Sequence, residues 1–156
     1  MKILTTDYKD KDFSILFQKS LHNSGFAIIK NHPISRTLIN RCYEDWNTFF
    51  SSNKKFDYLF EYDTQDGYFP YKSENAKNYT VKDLKEFYHI YRIWGRYPDF
   101  IKNNALTLFD ELMNLGKELL KCINDNSPED IKENFTMPLQ NMANNSDQNL
   151  LRIIHY

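Results

Sequence analysis

The sequence predicts an α/β fold in which helices pack on a small mixed sheet. Segments whose apolar residues recur at spacings of three and four, as in amphipathic helices, alternate with short apolar runs bounded by turn-forming residues, as in buried strands. The 156 residues, 41% of them hydrophobic and 16% aromatic, are enough to bury a core without disulfides or structural metals. These observations favour a single globular domain.

The first two helices are predicted at residues 11–24 and 36–51. Aspartates at positions 10 and 12 can cap the first helix, and Gly25 can end it. Ser35 can cap the second helix through its hydroxyl group. The apolar face predicted for the second helix consists of Leu38, Ile39, Cys42, Tyr43, Trp46, Phe49 and Phe50.

The strongest helical pattern lies at residues 99–124. Its apolar residues trace one face of a long helix, and they include Ile101, Ala105, Leu108, Phe109, Leu112, Leu119, Leu120 and Ile123. A short helix is predicted next, because Ser127 and Pro128 form an N-terminal signal followed by acidic residues.

Strands are predicted at residues 26–30, 84–93 and 150–155. The first is an apolar run between Gly25 and a turn-like Asn-His-Pro sequence. The other two are dense in branched and aromatic residues.

Between residues 51 and 80 the helical periodicity fails, which predicts a long aromatic-rich loop. Its Tyr68, Phe69 and Tyr71 side chains could line a pocket for an organic substrate, or they could simply cover the core.

Composition excludes several classes of function. Twenty basic and 21 acidic side chains give a net charge of -1, so there is no electrostatic reason to bind nucleic acid or an anionic membrane. The longest apolar run is far shorter than a membrane span. Cys42 and Cys122 lie far apart, which favours free thiols in a reduced, cytoplasmic setting, and Cys42 is expected to be buried and unreactive.

The residues that usually carry catalysis are sparse. The histidines are His22, His32, His89 and His155, and none has Asp or Glu two positions later, so the pattern of a non-haem iron site is absent. His89 is expected to be a polar residue within a sheet. The glycines never cluster, which excludes phosphate loops and dinucleotide fingerprints.

Several segments, in collinear order over nearly the whole chain, resemble one family. Residues 25–32 (GFAIIKNH) are similar to a GF-x-x-(V/I)-x-NHG strand and turn, residues 67–68 to a GY pair, residues 83–88 (DLKEFY) to a D-x-KE-x-(F/Y) strand, and residues 151–156 (LRIIHY) to an LR-x-x-HYP strand. The set resembles the N-terminal region of iron(II)- and 2-oxoglutarate-dependent oxygenases of the isopenicillin N synthase type.

The resemblance implies the N-terminal part of a double-stranded β-helix oxygenase. Residues 1–149 would form the non-haem dioxygenase N-terminal domain, and residues 150–156 would form the first strand of the catalytic barrel. Fe(II) and 2-oxoglutarate are the cofactors of the full-length family, but the family's metal and 2-oxoglutarate motifs lie on that barrel, so none is expected to bind this chain alone. Tyr156 matches a residue that contacts the cosubstrate in some members, and Tyr68 and Phe69 are the candidate substrate-pocket residues.

Two departures from the family pattern are visible. Pro33 stands where a glycine is usual, which alters the turn after the first predicted strand. Gln65 lies near where penicillin-forming members carry an arginine that holds a substrate carboxylate, which argues against that particular substrate.

Two hypotheses follow. The chain is the support and substrate-lid portion of an oxygenase that acts on a small organic molecule, shortened before its barrel and inactive alone. Alternatively, it is a non-catalytic interaction module that docks a separately encoded barrel half or another partner. The apolar Ile-Ile-His-Tyr sequence at residues 153–156 favours the first hypothesis, because a specialised adaptor is expected to end in a polar cap.

Overall fold

The computed structural model describes residues 3–144 and 146–156. Its helices are α1 (Phe13–Ser24), α2 (Arg36–Ser51), α3 (Asp99–Asn126) and α4 (Glu129–Lys132), with 3-10 turns at Asn53–Tyr58 and Leu139–Ala143. Its strands are β1 (Thr5–Asp7), β2 (Ile28–Lys30), β3 (Gly67–Phe69), β4 (Glu86–Tyr91) and β5 (Leu150–His155). The chain divides into two compact units, residues 1–34 with 110–146 and residues 35–109 with 147–156.

The first unit contains a small parallel sheet and the helix that connects its strands. Strand β1 pairs with β2 in parallel, and α1 lies between them in the chain. Phe13 and Phe17 of α1 are buried and their rings stack. Gly25 ends α1 with a φ of +75° and donates its N–H to the Leu21 carbonyl, as the sequence predicts for a left-handed C-cap.

Buried hydroxyl groups form hydrogen bonds with backbone N–H and carbonyl groups of the first unit. The Ser20 hydroxyl accepts from the Leu4 N–H at 3.0 Å and donates to the Phe26 carbonyl at 2.7 Å. The Thr6 hydroxyl donates to the Ile28 carbonyl at 3.1 Å. Ser20 and Thr6 are both almost fully buried, and a buried polar group is costly unless it is hydrogen-bonded. The Ser20 bonds therefore hold α1 against the segments that lead into β1 and β2, and the Thr6 bond joins the two strands.

The second unit contains an antiparallel sheet in the order β3-β4-β5. Glu86 of β4 lies opposite His155 of β5, and this register continues to Tyr91 opposite Leu150. Within the described residues, β3 and β5 are the edge strands of this sheet. Because alternate residues of a strand point to opposite faces, this register decides which side chains share each face.

Helix α2 supplies the core of the second unit. Ser35 caps it, since its hydroxyl accepts from the Leu38 N–H. Its buried residues are Cys42, Trp46, Phe49 and Phe50, four members of the predicted apolar face. Tyr43 was also expected on that face, but the structure leaves it 76% exposed, because an aromatic residue can occupy the border of a helical stripe without being covered.

Cys42 should be the slower of the two thiols to react. It is 4% exposed and its thiol contacts the Asn104 carbonyl at 3.4 Å. Burial, together with the nearby Asp45 carboxylate, raises the pKa of Cys42 to about 11, and a protonated thiol is a poor nucleophile. With a thiol reagent at pH 8, we expect half-buried Cys122 to react first and Cys42 only after denaturant is added. Equal rates in the native protein would contradict this.

The α/β fold class is confirmed. Helices α1, α2 and α3 match residues 11–24, 36–51 and 99–124 to within two residues at each end. The strands, however, form two separate sheets instead of the single mixed sheet expected, because predicted strand 26–30 pairs only with β1, which was not predicted. The predicted loop 51–80 contains β3.

None of the helices in the described part of the chain is long and apolar enough to cross a bilayer.

Candidate functional site

The chemically active side chains of the second unit lie on the two faces of the β3-β4-β5 sheet. We call the side that packs its rings against α2 the helix-side face, and the other the outer face. The helix-side face carries Tyr68, Glu86, Tyr88, Ile153 and His155, and the outer face carries Phe69, Phe87, His89, Arg152 and Ile154. Contacts of Phe50 with Tyr68 and with His155 identify the helix-side face.

Glu86 is the centre of a buried polar cluster on the helix-side face. Its carboxylate accepts from Lys55 Nζ at 2.8 Å and from the hydroxyl of Tyr68. The His155 Nδ1 atom lies 2.8 Å from its other oxygen. Glu86 is 6% exposed, so these partners replace the water that its charge would otherwise need. The cluster joins β3, β4, β5 and the 3-10 turn after α2.

The partners of Glu86 decide its protonation. Burial by itself raises the pKa of this carboxyl, but hydrogen bonds from Lys55, Tyr68 and His155 and the charge of Lys55 outweigh burial, and its pKa lies below the usual range. Burial and the adjacent carboxylate both raise the pKa of Tyr68. Glu86 is therefore a carboxylate, and Tyr68 is a neutral donor.

His89 and Arg152 form a pair on the outer face. Arg152 Nε donates to His89 Nε2 at 2.9 Å, so Nε2 accepts and the ring proton is on Nδ1, 3.3 Å from the Gln65 carbonyl oxygen. Burial, and then the charge of Arg152, lower the pKa of His89. The imidazole is therefore neutral. The Arg152 guanidinium carbon also lies 4.7 Å from the centre of the Phe87 ring.

Aromatic rings continue the outer face beyond this pair. The Phe69 ring stacks on Phe87 at 4.3 Å and contacts Phe60 at 4.4 Å and His89 at 4.6 Å. Phe87 is 1% exposed, whereas Phe69 is half-buried and Arg152 is exposed. The outer face thus presents aromatic rings beside two cations, the exposed Arg152 and the half-buried Lys85, whose Nζ atom lies 5.5 Å from the Phe87 ring centre; apolar rings with a few polar groups are the composition that small-molecule sites share.

A buried ion pair fixes the entry to β3. Asp66 is fully buried, and its carboxylate accepts from the Arg96 side chain at 3.2 Å and from the Arg96 N–H at 2.6 Å. Burial by itself raises the pKa of Asp66, but hydrogen bonds from Thr64 and Arg96 hold it below the usual range. The next residue, Gly67, has a φ of +107°. This arrangement sets the direction in which Tyr68 and Phe69 leave the loop.

The structure separates the predicted site residues. Tyr68 is 1% exposed on the helix-side face, whereas Phe69 is on the outer face, because adjacent strand residues point to opposite sides. Tyr156 follows β5 and is 86% exposed. The roles of these three residues in substrate and cosubstrate binding stay predictions.

Sequence reasoning missed Glu86 and Arg152. The sequence did contain a signal for Glu86, which is an acidic residue in an otherwise largely aromatic strand. A carboxylate in a buried strand needs a polar partner, so its position indicated a buried polar cluster. His89 was expected to be a polar residue within a sheet, and its 8% exposure on β4 confirms this.

The described side chains do not provide an iron site by themselves. Over residues 3–144 and 146–156, no group of three or more His, Cys, Asp or Glu residues is placed to hold a metal ion. A non-haem iron of the oxygenase type needs two imidazoles and one carboxylate on one side of the metal. His89 and His155 do not fit this requirement, because their register places them on opposite faces of the sheet.

Comparison with known proteins gives one family and several similar folds. The profile of the family described as non-haem dioxygenase in morphine synthesis, N-terminal, matches residues 4–106. A protein from Shewanella oneidensis classed as an oxygenase is 42% identical, with a TM-score of 0.89, over 100% of this chain and 54% of its own. A Caulobacter crescentus member of the 2OG-Fe(II) oxygenase family is 23% identical, with a TM-score of 0.69, over 99% of this chain and 56% of its own.

Two more distant matches complete the comparison. A Neurospora crassa protein, solved in complex with alpha-KG and thymine, is 19% identical, with a TM-score of 0.63, over 78% of this chain and 47% of its own. A cysteine–tRNA ligase from Wigglesworthia glossinidia brevipalpis is 28% identical over 103 residues, which cover 66% of this chain and 22% of that enzyme. The chain spans about half the length of the solved structures it matches, and the ligase match covers too little of the ligase to indicate a function.

Proposed function

Because the chain belongs to the family of non-haem dioxygenase N-terminal domains, we propose that it is the N-terminal support and substrate-lid portion of a 2-oxoglutarate/Fe(II)-dependent oxidoreductase acting on a small organic substrate. The observation that carries this proposal is the match of the whole chain, at 42% identity, to 54% of the Shewanella oneidensis protein classed as an oxygenase. Fe(II) and 2-oxoglutarate would bind with the remainder of such an enzyme, in a cytoplasmic setting.

Strand β5 would be the junction with the catalytic barrel. In this proposal residues 1–149 form the N-terminal domain and residues 150–156 begin the barrel. In the described part of the chain β5 pairs with β4 alone, and its Leu150 and Ile154 side chains are 40% and 43% exposed. An edge strand with exposed apolar residues is suited to accept another strand, which supports this role.

The segment between α2 and β4 would be the substrate lid. Tyr62, Tyr71 and Tyr79 of this segment are 81%, 51% and 68% exposed, and Phe69 faces the outer side of the sheet. Amphipathic rings on a loop held by a rigid sheet are well suited to close over an organic molecule. Tyr68 would support the lid from the helix-side face, where its hydroxyl bonds Glu86 and fixes β3. Tyr156 would contact the cosubstrate.

The proposal is tested by comparing the chain alone with a chimera. The chain would be mixed with Fe(II), 2-oxoglutarate, O2 and ascorbate, and in parallel it would be fused at Tyr156 to the part of the Shewanella oneidensis protein that lies beyond the matched region. Conversion of 2-oxoglutarate to succinate and CO2 consumes O2, and ascorbate supplies the two electrons that a substrate would otherwise give. We expect succinate from the chimera and none from the chain. Succinate release by the chain alone, or none from a folded chimera that binds iron, would contradict the proposal.

A second candidate function is a non-catalytic module that docks a separately encoded barrel half. The free edge of β5 favours it, because unpaired edges recruit other chains. Co-expression of the chain with the separate remainder of the Shewanella oneidensis protein, followed by light scattering, distinguishes the candidates. A stable complex without succinate release supports docking, whereas two separate monomers contradict it.

A further inference from the structure

The Arg152 side chain is held in place by its neighbours on the sheet. Its backbone lies opposite His89 in the β4-β5 pairing, its Nε donates to His89 Nε2 at 2.9 Å, and its guanidinium carbon lies 4.7 Å from the Phe87 ring centre. Ordering an arginine costs rotamer entropy, so a side chain already fixed in this way loses less on binding.

Arg152 lacks a negative partner among the contacts that the structure describes. His89 is neutral, because its Nε2 accepts a hydrogen bond from Arg152 Nε–H and its Nδ1–H faces the Gln65 carbonyl oxygen. Lys85 differs from Arg152 in this respect. Its Nζ atom lies over the same Phe87 ring, but it pairs with Asp83 at 2.9 Å and with Glu74 at 3.6 Å. The positive charge of Arg152 is therefore available to an anion.

The surroundings of Arg152 select the kind of anion. The Nη groups carry the remaining guanidinium donors, and their planar fork matches the two oxygens of a carboxylate. Beside the guanidinium, the half-buried Phe69 ring stacks on Phe87 and contacts Phe60, and Ile154 of β5 is 43% exposed. A flat apolar group next to the carboxylate would cover the exposed parts of the Phe69 and Phe60 rings, since aromatic pairs prefer stacked or edge-to-face contacts.

We propose that the outer face of the β3-β4-β5 sheet binds a small flat molecule that carries a carboxylate, with Arg152 as the carboxylate contact and Phe69 as the ring contact. This identifies the substrate class of the oxygenase and in that respect rests on the proposed function. The binding site itself needs neither iron nor turnover. It consists of strand residues whose positions are fixed by the register of β3, β4 and β5.

Titration of the isolated chain tests the site. Benzoate, benzamide and acetate would be added in turn, and the Arg152 Nε–H resonance and the backbone amides of β4 and β5 would be followed by NMR. We expect benzoate to bind with a Kd of about 1 mM. Benzamide, which lacks the charge, and acetate, which lacks the ring, should each bind at least about tenfold more weakly.

Matched variants separate this site from general charge attraction. Arg152→Gln should weaken benzoate binding at least about tenfold, and Arg152→Lys should restore only part of it, because lysine keeps the charge but not the planar fork. Arg36→Gln removes an equal charge from an exposed position at the start of α2 and should leave binding unchanged. Circular dichroism confirms that each variant is folded.

Two outcomes would overturn the proposal. One is a benzoate Kd equal in the wild-type chain and in folded Arg152→Gln; the other is no benzoate binding at tens of millimolar. Neither bears on the family-level function, because the succinate assay of the chimera is a separate measurement. An active chimera with no benzoate site would refute the substrate class alone, and an inactive chimera with an intact benzoate site would refute the oxygenase role alone.

Discussion

Gly67→Ala should lower the free energy of unfolding by about 3 kcal/mol or more. Gly67 has a φ of +107°, in the left-handed region that residues with a Cβ rarely adopt. A Cβ atom there would lie 2.7 Å from the Tyr58 carbonyl oxygen, 2.9 Å from the Leu59 carbonyl oxygen and 2.8 Å from Arg96 Nη2. Two of these contacts are with backbone, which cannot move aside without displacing the start of β3.

Urea unfolding followed by circular dichroism measures this effect, with Gly116→Ala as the control. Gly116 lies within helix α3, and a Cβ atom there meets nothing within 4 Å. Alanine at that position should therefore stabilise the protein by about 0.5 to 1 kcal/mol, because it reduces the conformational freedom of the unfolded chain. If Gly67→Ala were no less stable than Gly116→Ala, the prediction would be wrong, and β3 would have to shift to accept the side chain.

Glu86→Gln should destabilise the protein by about 3 kcal/mol. The glutamine keeps the shape of the side chain but leaves the ammonium of Lys55, whose side chain is 17% exposed, without its carboxylate. The hydroxyl of Tyr68 and the ring of His155 also lose a charged acceptor. Breaking one side of a buried pair is costly, because the remaining charge stays desolvated.

An exposed ion pair provides the control for Glu86. Lys121 and Asp125 form an i,i+4 pair on α3, with side chains 60% and 47% exposed, and such pairs are screened by solvent. Asp125→Asn should leave the unfolding midpoint essentially unchanged. If both substitutions shifted the midpoint equally, the burial of the Glu86 cluster would have no special importance for stability.

The same cluster predicts how stability depends on pH. Because the pKa of Glu86 is lower in the folded protein than in the unfolded chain, its contribution is fully present above the unfolded-state pKa, roughly 4.3, and is lost as the pH falls through the folded-state pKa. Unfolding midpoints measured from pH 6 down to pH 3 should fall less steeply in Glu86→Gln than in the wild type. Parallel curves would contradict this.

Local sequence signals predicted helices α1 to α3 and strands β2, β4 and β5, but they did not predict β1, β3 or the pairing of the strands into two sheets. Helices α2 and α3 are long enough for their apolar spacing to be read directly, and Ser35 and Gly25 mark helix ends by local hydrogen bonds. Strand β1 is a polar Thr-Thr-Asp sequence, and β3 lies in a segment whose aromatic residues follow no period, so neither has the apolar run that marked β2. Their existence depends on partners elsewhere in the chain.

The candidate site could not be read from the sequence for the same reason. Glu86 meets His155, and His89 meets Arg152, only because β4 and β5 pair in one particular register. A shift of one residue would exchange the two faces of β5. The aromatic content of the loop directed attention to Tyr68 and Phe69, but it is the pleat of β3 that places one in the core and the other on the outer face.

The pairing of β4 with β5 has a consequence for synthesis of the protein on the ribosome. Glu86 and His155 are separated by 69 positions, so the carboxylate emerges long before one of its partners has been translated. Helix α2 and strands β3 and β4 can associate early, but the cluster stays incomplete until residue 155 is released. The delay is set by translation of the residues between Glu86 and His155, at about 5 to 20 residues per second. During that interval the nascent second unit exposes an unpaired edge of β4, and unpaired strand edges are prone to pair with other chains.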